Sequence, residues 1–547
     1  MKRSYFVLFI LSFLSISLSA QSAGKFTRLD TLSVHPLDAG GWGEVVAGLD
    51  LDKDGKPEIY AVNSNAIDDP PSQLTPRIYK YELNNGKWEM VWSAEIPDIK
   101  QNTWPALTYG DLDKDGKGEI IFAPANWVDT EHPNPDRVFV YEARGDGSDN
   151  MGVDILGSSA PNAKFKIATA DNADIRPMKW FVEDYDGDGT PELMFCDRSA
   201  SKTTSLGFGI LSVDKIPDDG DGSEKWTIEA SGQSSLTGFP FAIYYDIAWL
   251  NNVLYLWDSA GNIVSVKHNG QTWNLVATQK TIGGATGSFK TAQVVDIDKD
   301  GTKEIVFGGW SDGKAYLCKP QNDTLVATVL ADFSQLGVTR LNGGGHGDLD
   351  KDGKVDFVFG SRNTTATKVF DAVVRLQYKG GTVTDPNSYI PTVIDSLIHP
   401  NTGQLDIVSV GDVDKDSVDE AVYSSGYPRG TLDFPNIPLV ILKYQKVQVG
   451  VEKENSRIPG NFFLAQNFPN PFNPSTTIKF GLPGEAMVSL RIYNILGQEV
   501  ATLLENQNMS AGTYNVDFNA SKLTSGTYIY QLSFSNQLIT KKMLLMK

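Results

Sequence analysis

Short apolar stretches that alternate with acidic loops run through most of the chain. Glu58–Val62, Glu119–Phe122 and Glu304–Phe307 each follow such a loop and are rich in Ile, Val, Tyr and Phe. These residue types favour the extended backbone of a β-strand over a helix. The pattern therefore predicts an all-β protein with many short strands joined by polar turns.

Hairpin signals follow these strands. Arg77–Tyr81 and Trp88–Trp92 flank Asn84–Gly86, and a later pair of strand-like stretches flanks Asn269–Gly270. Asn and Gly tolerate the positive φ angles of turns whose twist matches that of paired strands. One such hairpin, added to the two strands around each acidic loop, predicts four strands per unit.

The acidic loop recurs six times with the pattern Asp-x-Asp-x-Asp-Gly-x-x-Glu/Asp. Its first aspartates are separated by 61, 73, 112, 52 and 64 residues, so the third interval spans about two periods. Within that interval Tyr244–Trp249 and Val253–Trp257 resemble strands. We interpret them as a seventh copy, aligned on Asp246, that kept its strands and lost its acids.

Seven units of 50 to 73 residues then fill 25–446. Seven four-stranded units at this period predict a seven-bladed β-propeller. A long parallel β-solenoid is the alternative, although its coils are usually shorter than about 50 residues.

The composition of the acidic loop points to calcium. Side chains at positions 1, 3 and 5 converge when the backbone wraps around a point, and Gly at position 6 permits the sharp bend. A backbone carbonyl at position 7 and a carboxylate at position 9 complete an all-oxygen shell, which suits Ca²⁺ better than Mg²⁺. Metal-free Asx turns are the alternative, but each loop would then crowd four carboxylates. EF-hand-like loops are disfavoured because strands, not helices, follow.

We therefore expect about six structural calcium ions. The predicted ligands, in the order of positions 1, 3, 5, 7 and 9, are Asp50, Asp52, Asp54, Lys56 and Glu58; Asp111, Asp113, Asp115, Lys117 and Glu119; Asp184, Asp186, Asp188, Thr190 and Glu192; Asp296, Asp298, Asp300, Thr302 and Glu304; Asp348, Asp350, Asp352, Lys354 and Asp356; and Asp412, Asp414, Asp416, Val418 and Glu420. Ser417 stands in the glycine position of the last loop, which predicts a strained bend and the weakest site.

The charge of the chain agrees with this interpretation. The formal net charge is -19, which argues against nucleic acid or an anionic membrane surface as partners. The six loops contain 24 of the 67 acidic residues, and the remaining 43 are outnumbered by 48 Lys and Arg. The acidity is therefore concentrated in the loops.

These loops and strands resemble FG-GAP/VCBS repeats, which occur in integrin α-chain propellers and in many secreted bacterial proteins. The resemblance covers about 45–425. It implies a seven-bladed propeller with calcium in its blades. The unit at Asp246 departs from the repeat pattern, so no metal is expected there.

The last part of the chain changes character. Polar residues over 447–461 predict a linker, and alternating strands such as Val488–Tyr493 and Tyr528–Leu532 predict a small immunoglobulin-like β-sandwich over 462–547. Asn467–Pro474 and Asn494–Val500 closely resemble the type A C-terminal sorting domain of type IX secretion. An ordinary immunoglobulin-like binding domain is the alternative.

The resemblance to the sorting domain implies a partner and a location. The partner is the type IX secretion machinery, and the location is outside a Gram-negative, Bacteroidota-like cell or on its outer-membrane surface. Residues 1–20, with Lys2 and Arg3 before an apolar run, are expected to be a signal peptide. A retained membrane anchor is the alternative. No later segment has the length of a transmembrane helix, and the two cysteines, Cys196 and Cys318, do not suggest a disulfide scaffold.

Motifs for catalysis are not found: the chain has no G-x-S-x-G, no H-E-x-x-H and no Walker loop. Five scattered histidines include His346, in Asn342–Gly347 beside an acidic loop, for which we favour a structural role. The sequence thus favours a non-catalytic binding or adhesion module for glycan or protein. The alternatives are a lyase-like, polysaccharide-degrading enzyme on a calcium propeller and a purely structural surface protein.

A ligand face can be predicted from the repeat. Seven or eight residues before each first aspartate, or before Asp246, lie Trp42, Trp104, Arg176, Phe239, Phe289, Arg340 and Gln404. Aromatic rings and guanidinium groups suit stacking on sugars or binding of acidic groups. We expect Trp42, Trp104, Arg176 and Arg340 to line this face, with packing between blades as the alternative role.

Overall fold

The computed structural model describes residues 24–32, 41–64, 74–97, 99–101, 104–125, 134–280, 282, 287–361, 369–399, 405–425, 439–446, 451–454, 459–521, 523–534 and 537–547. These residues form two compact units, one spanning Phe26–Tyr444 and one containing Gln445–Lys547. The expected signal peptide at 1–20 lies outside the described residues.

The fold class is all-β, as predicted. Within the described ranges, helical geometry is limited to Gly232–Ser235 and to two 3-10 turns, Phe333–Leu336 and Pro386–Ser388. None of these short helices could cross a membrane, and the described residues contain no longer apolar helix.

The first unit consists of seven four-stranded groups, named here sheets 1 to 7, preceded by β1 (Gly24–Leu32). Sheet 1 contains β2 (Trp42–Leu49), β3 (Glu58–Asn63), β4 (Arg77–Asn84) and β5 (Lys87–Glu95). Sheet 2 contains β6 (Ala106–Gly110), β7 (Glu119–Ala123), β8 (Val138–Glu142) and β11 (Ala163–Phe165), with the hairpin β9 (Val153–Ile155) and β10 (Ser158–Ala160) inserted. Sheet 3 contains β12 (Pro177–Glu183), β13 (Glu192–Asp197), β14 (Phe208–Val213) and β15 (Trp226–Ser231).

The later sheets repeat this order. Sheet 4 contains β16 (Tyr244–Leu250), β17 (Val253–Asp258), β18 (Ile263–His268) and β19 (Trp273–Gln279), and sheet 5 contains β20 (Gln293–Val295), β21 (Glu304–Gly308), β22 (Lys314–Gln321) and β23 (Thr324–Asp332). Sheet 6 contains β24 (Leu341–Gly347), β25 (Asp356–Ser361), β26 (Val369–Tyr378) and β27 (Tyr389–His399). Sheet 7 contains β28 (Leu405–Gly411), β29 (Glu420–Ser425) and β30 (Leu439–Lys446), and β1 is its fourth strand. Pairing of Ser361 with Leu405 joins sheets 6 and 7.

Hydrophobic cores lie between successive sheets. Tyr60 of sheet 1 and Phe139 of sheet 2 belong to one core cluster, and each later pair of neighbouring sheets shares another. Sheet 7 in turn shares a core with sheet 1, where Ile441 and Ile59 belong to the same cluster. The second strand of each sheet is therefore apolar on both faces, because it is covered by a neighbouring sheet on each side.

The predicted hairpin turns are confirmed. Asn85 and Gly86 have φ angles of 51° and 76°, and Gly270 has a φ angle of 89°. The alignment of the seventh copy needs correction, however. Asp246 lies inside β16, not at the start of a loop, and a turn at Asn251–Asn252 joins β16 to β17.

The second unit contains two four-stranded sheets with a common core. One has the strand order β31 (Val451–Glu454), β36 (Gly512–Asn519), β33 (Ser475–Leu482) and β32 (Phe463–Leu464). The other has the order β35 (Glu499–Met509), β34 (Ala486–Asn494), β37 (Gly526–Phe534) and β38 (Gln537–Leu545). Leu490 and Ile478, one from each sheet, are fully buried between them. The immunoglobulin-like topology of this unit stays a prediction.

Candidate metal centres

Each acidic loop connects the first and second strands of its sheet, in sheets 1, 2, 3, 5, 6 and 7. The backbone is left-handed at two loop positions. Glycine at position 6 has a φ angle between 81° and 97° in five loops, and Ser417 has one of 64° in the sixth. Lysine at position 4 has a φ angle between 56° and 63° in five loops, and Gly187 replaces it in the Asp184 loop. The chain thus bends sharply twice within three residues.

Backbone amides orient the loop aspartates. The position 1 carboxylate accepts a hydrogen bond from the position 6 N–H at 2.8–3.2 Å in all six loops. The position 5 carboxylate accepts one from the position 7 N–H at 2.7–3.0 Å. These bonds fix the aspartates at positions 1 and 5 within their own loop.

The carboxylate at position 9 is buried in every loop and accepts a hydrogen bond from the N–H of position 2. Burial raises the pKa of Glu119 to about 9 and those of Glu58 and Glu192 to about 8. It also raises the pKa of Asp356 and of Glu420 to about 7, and that of Glu304 in the same direction. A cation would favour the ionised form of these acids.

The Asp111 loop satisfies the chemical requirements of a divalent cation. Ligand oxygens of Asp111, Asp113 and Glu119 lie within 4.8 Å of one another. Asp111 Oδ1 and Glu119 Oε1 are buried and have no hydrogen-bond partner. Buried oxygens without a donor are costly, so Ca²⁺, which takes only oxygen ligands, fits this set.

In three loops a basic side chain from a strand lies among the carboxylates, and the sequence analysis did not identify it. Lys80, Arg375 and Lys443 lie on the third strands of sheets 1, 6 and 7, and each forms ion pairs with the carboxylates at positions 3 and 9 of its loop. In the sequence, the only sign of this contact is a basic residue on a later strand, many residues after the loop. Strand register, which places it beside the loop, is not visible in one sequence.

Other lysines link neighbouring loops. Lys53 Nζ donates to Gly116 O, Lys299 Nζ to Gly353 O at 2.8 Å, and Lys351 Nζ to Asp416 O at 2.9 Å. Lys415 Nζ donates to Gly55 O at 2.5 Å, so the last acidic loop contacts the first. All four lysines occupy position 4, where a left-handed backbone directs the side chain to the next loop.

The predicted ligand face is only partly accessible. Trp42 is completely buried, and Arg176 is 6% exposed and paired with Asp174 at 2.7 Å. In this structure Trp42 therefore has no surface for a ligand and Arg176 has little, and the ligand-contacting role of both residues stays a prediction. Trp104 and Arg340 are half-buried.

Aromatic and basic side chains near Trp104 and Arg340 pack on one another. The guanidinium of Arg198 lies 5.1 Å from the ring centroid of Trp104, and that of Arg340 lies 5.3 Å from that of Trp310. Trp310 stacks on Phe289 with a centroid distance of 4.0 Å. Rings with one face already covered offer less surface to a sugar than predicted.

The remaining predicted positions differ in their surroundings. Phe239 packs in a core cluster beside Phe208, and Gln404 lies outside the described residues. His346 is exposed, and its Nδ1 lies 3.0 Å from Gln293 Oε1. The two cysteines are buried and unpaired.

Two parts of the chain match known families. Residues 50–122 match an FG-GAP-like repeat, and residues 466–546 match a secretion system C-terminal sorting domain of the type IX pathway. The sorting domain supports a secreted or cell-surface protein that interacts with the type IX secretion machinery. None of the curated proteins shows a significant match to this chain.

Several solved structures are similar to this chain over about three quarters of its length. The N-terminal domain of Nup159 is 9% identical, with a TM-score of 0.39 and coverage of 78% of this chain and 97% of that chain. BBS1N, in a complex with ARL6DN, is 10% identical, with a TM-score of 0.42 and coverage of 78% and 99%. The computationally designed Ika8 protein is 13% identical, with a TM-score of 0.35 and coverage of 76% and 99%.

Proposed function

We propose that this chain, which carries an FG-GAP-like repeat and a type IX sorting domain, is a calcium-stabilised seven-bladed β-propeller with a C-terminal immunoglobulin-like sandwich. It acts outside the cell as a non-catalytic binding or adhesion module for glycan or protein. The observation that carries the calcium assignment is the set of buried oxygens without a hydrogen-bond donor in the Asp111 loop, where no described ion pair reaches the acids at positions 3 and 9. The repeated loop extends the argument to the other sheets.

Contacts between residues that are far apart in the chain support a closed ring of seven blades. Ala47 N donates to Ser409 Oγ at 3.1 Å, which joins sheet 1 to sheet 7. Lys290, in the segment before sheet 5, forms an ion pair with Glu44 of sheet 1. A linear stack of sheets would hold these residues far apart, since many residues and several sheets separate them.

Calcium would hold the two strands on either side of each loop together. The loop residues would supply carboxylate oxygens from positions 1, 3, 5 and 9 and the backbone carbonyl of position 7. Extracellular modules often bind calcium with a Kd of roughly 10⁻⁴–10⁻³ M. At a few millimolar calcium, each occupied site would add about 0.5–2 kcal/mol by mass action.

Thermal unfolding with and without calcium tests this role. We expect exhaustive EDTA dialysis to lower the melting temperature by several degrees, and added CaCl₂ to restore it. Equal concentrations of MgCl₂ should restore less, because Mg²⁺ prefers a tighter octahedral shell. A melting curve unchanged by dialysis would refute structural calcium.

The proposed ligand site comprises Trp104, Trp310 and Arg340, which are all half-buried. Guanidinium groups above aromatic rings suit an acidic sugar or an acidic protein segment. A glycan array, run with a polysaccharide-degradation assay, should detect binding without cleavage. Detection of cleavage products would contradict the non-catalytic role and indicate a lyase-like enzyme instead.

Arg340→Ala tests the site directly. We expect about a ten-fold or greater loss of affinity, since hydrogen bonds to charged groups contribute about 1.5–3 kcal/mol. Arg28→Ala is the matched control, because Arg28 lies on the outer strand β1 and pairs with Asp395. If both variants bind as well as the unmodified protein, the face is not the site.

A further inference from the structure

In three of the six acidic loops, the carboxylates already form ion pairs with a lysine or arginine side chain from a neighbouring strand. Lys80 Nζ lies 2.9 Å from the buried Glu82 Oε1. It also contacts two acids of the Asp50 loop, at 2.5 Å from Asp52 Oδ2 and 3.4 Å from Glu58 Oε1. Both carboxylates are predicted calcium ligands, at positions 3 and 9 of the Asp50 loop. The Lys80 side chain is fully buried, so its charge acts on these carboxylates with little screening by solvent.

The Asp348 loop has the same arrangement with a different base. One guanidinium nitrogen of Arg375 lies 2.6 Å from Asp350 Oδ2 and 2.7 Å from Asp356 Oδ2. Gln377 Nε2 donates to the same Asp350 oxygen at 2.8 Å. Positions 3 and 9 are again bridged by one positive group.

In the Asp412 loop, Lys443 bridges the carboxylates at positions 3 and 9 and also contacts the one at position 5. Its Nζ lies 2.5 Å from Asp414, 2.9 Å from Asp416 and 2.8 Å from Glu420. Three of the four predicted carboxylate ligands of this loop therefore contact one ammonium group.

The other three loops lack such a bridge among the described residues. Lys117 contacts Asp115 at position 5 of its own loop and Glu142, and Lys319 contacts only Glu304 from a side chain that is 45% exposed. No described ion pair reaches the acids of the Asp184 loop. At the strand positions equivalent to Lys80 and Arg375, these loops have Val140, Ile210 and Leu317, which carry no charge. Lys443 lies opposite position 9 of its loop, and Lys319 is the residue at that register position in sheet 5.

A calcium ion and a basic group compete for the same oxygens. Calcium–oxygen distances are about 2.3–2.6 Å, so an ion that shared these oxygens would lie within about 5 Å of the nitrogen. Repulsion between the two positive groups is strong in a buried site. Because one positive charge already offsets the carboxylates, a second cation also gains less from binding.

We infer that Lys80, Arg375 and Lys443 act as built-in cations, so that only the Asp111, Asp184 and Asp296 loops bind calcium. This inference rests on the proposed calcium function and limits it to sheets 2, 3 and 5. Three sheets are then held together by covalently attached charges and three by an exchangeable ion.

Counting the bound calcium ions tests the inference. The full chain, freed of metal and titrated with CaCl₂ by calorimetry and by native mass spectrometry, should bind three ions. Six ions would overturn the inference and leave the proposed function intact. No bound calcium would overturn both.

Single substitutions assign the ions to loops. Asp184→Asn should reduce the count from three to two, whereas Asp412→Asn should leave it at three. A loss of one ion in Asp412→Asn would contradict the role of Lys443. These two changes alter homologous positions and keep the size of the side chain, so they form a matched pair.

Removal of a built-in cation should create a site. Lys443→Met leaves the acids of the Asp412 loop without their ammonium group, so we expect a fourth ion and a larger loss of melting temperature in EDTA. Lys319→Met, the control, should keep three ions. If the folded Lys443→Met variant binds only three ions, the inference fails. If this variant does not fold, the Asp184→Asn and Asp412→Asn pair still tests the inference.

Discussion

At the scale of single residues, the acidic loop depends on left-handed backbone at positions 4 and 6. Glycine adopts this conformation without steric cost, whereas a residue with a Cβ atom pays about 1–2 kcal/mol. Lysine nevertheless occupies position 4 in five loops, and in four of them its side chain contacts the next loop. The contact compensates for the backbone strain.

Ser417, at position 6 of the Asp412 loop, has a φ angle of 64°. Among the described contacts, none of its side chain offsets this backbone strain. Ser417→Gly should therefore stabilise the protein by up to about 1 kcal/mol, the strain being partly offset by the greater freedom of glycine in the unfolded chain. Urea unfolding at fixed calcium measures the change.

The reverse substitution serves as its control. Gly353 occupies the same position in the Asp348 loop with a φ angle of 81°, and an added Cβ atom would meet nothing within 4 Å. Gly353→Ser should thus destabilise by about 1 kcal/mol through the backbone alone. Effects of the same sign for the two substitutions would contradict this account.

The position 9 carboxylates predict how the calcium-free protein responds to pH. Their pKa values in the folded state are raised, for Glu119 to about 9 from an ordinary 4.5. The folded state therefore binds more protons than the unfolded state, and stability must fall as pH rises from about 5 to 9. Urea unfolding in EDTA should show this decline, and saturating calcium should reduce it, because the ion favours the ionised acids. A rise of stability with pH in EDTA would contradict the prediction.

At the scale of elements, the N-terminal strand completes the last sheet. β1 lies beside β30, and the ring of Phe26 lies 5.2 Å from that of Tyr444. Sheet 7 thus combines three strands from the end of the repeats with one from their beginning. This arrangement covers the edge of β30 and ties the two ends of the unit together.

Phe26→Ala tests the contribution of β1. Phe26 packs against the core between sheets 6 and 7, and loss of a packed aromatic ring should cost about 2–4 kcal/mol. Leu29→Ala on the same strand should cost less than about 0.5 kcal/mol, since Leu29 is 40% exposed. Equal effects would show that β1 does not stabilise the unit through this core.

At the scale of the whole molecule, the two units have separate cores. The core of the second unit, which includes Leu490 and Ile478, contains residues of that unit alone. The predicted calcium ligands all belong to the first unit. Folding of the two units should therefore respond differently to metal and to mutation.

Differential scanning calorimetry should reveal two transitions, of which EDTA lowers only one. Leu490→Ala should lower the other, because removal of a fully buried leucine side chain costs about 2–5 kcal/mol. A single transition that both treatments shift together would mean that the units unfold as one.

Local pattern was sufficient to predict the strands, the hairpin turns and the six loops. Asn-Gly turns and the alternation of apolar residues act over a few neighbouring residues, so one sequence reveals them. The same reasoning located the strands of the seventh copy but misaligned it on Asp246, which lies within β16. Without acids in the loop, spacing was the only guide to the alignment.

The sequence by itself thus determined the all-β class, the repeated loops and the two families that the chain matches. Only the tertiary structure decided that β1 completes sheet 7, that Trp42 and Arg176 are buried, and that Lys80, Arg375 and Lys443 enter acidic loops. Each of these facts depends on strand register or on packing between sheets. Such contacts join residues distant in the chain, and periodicity over short windows carries no information about them.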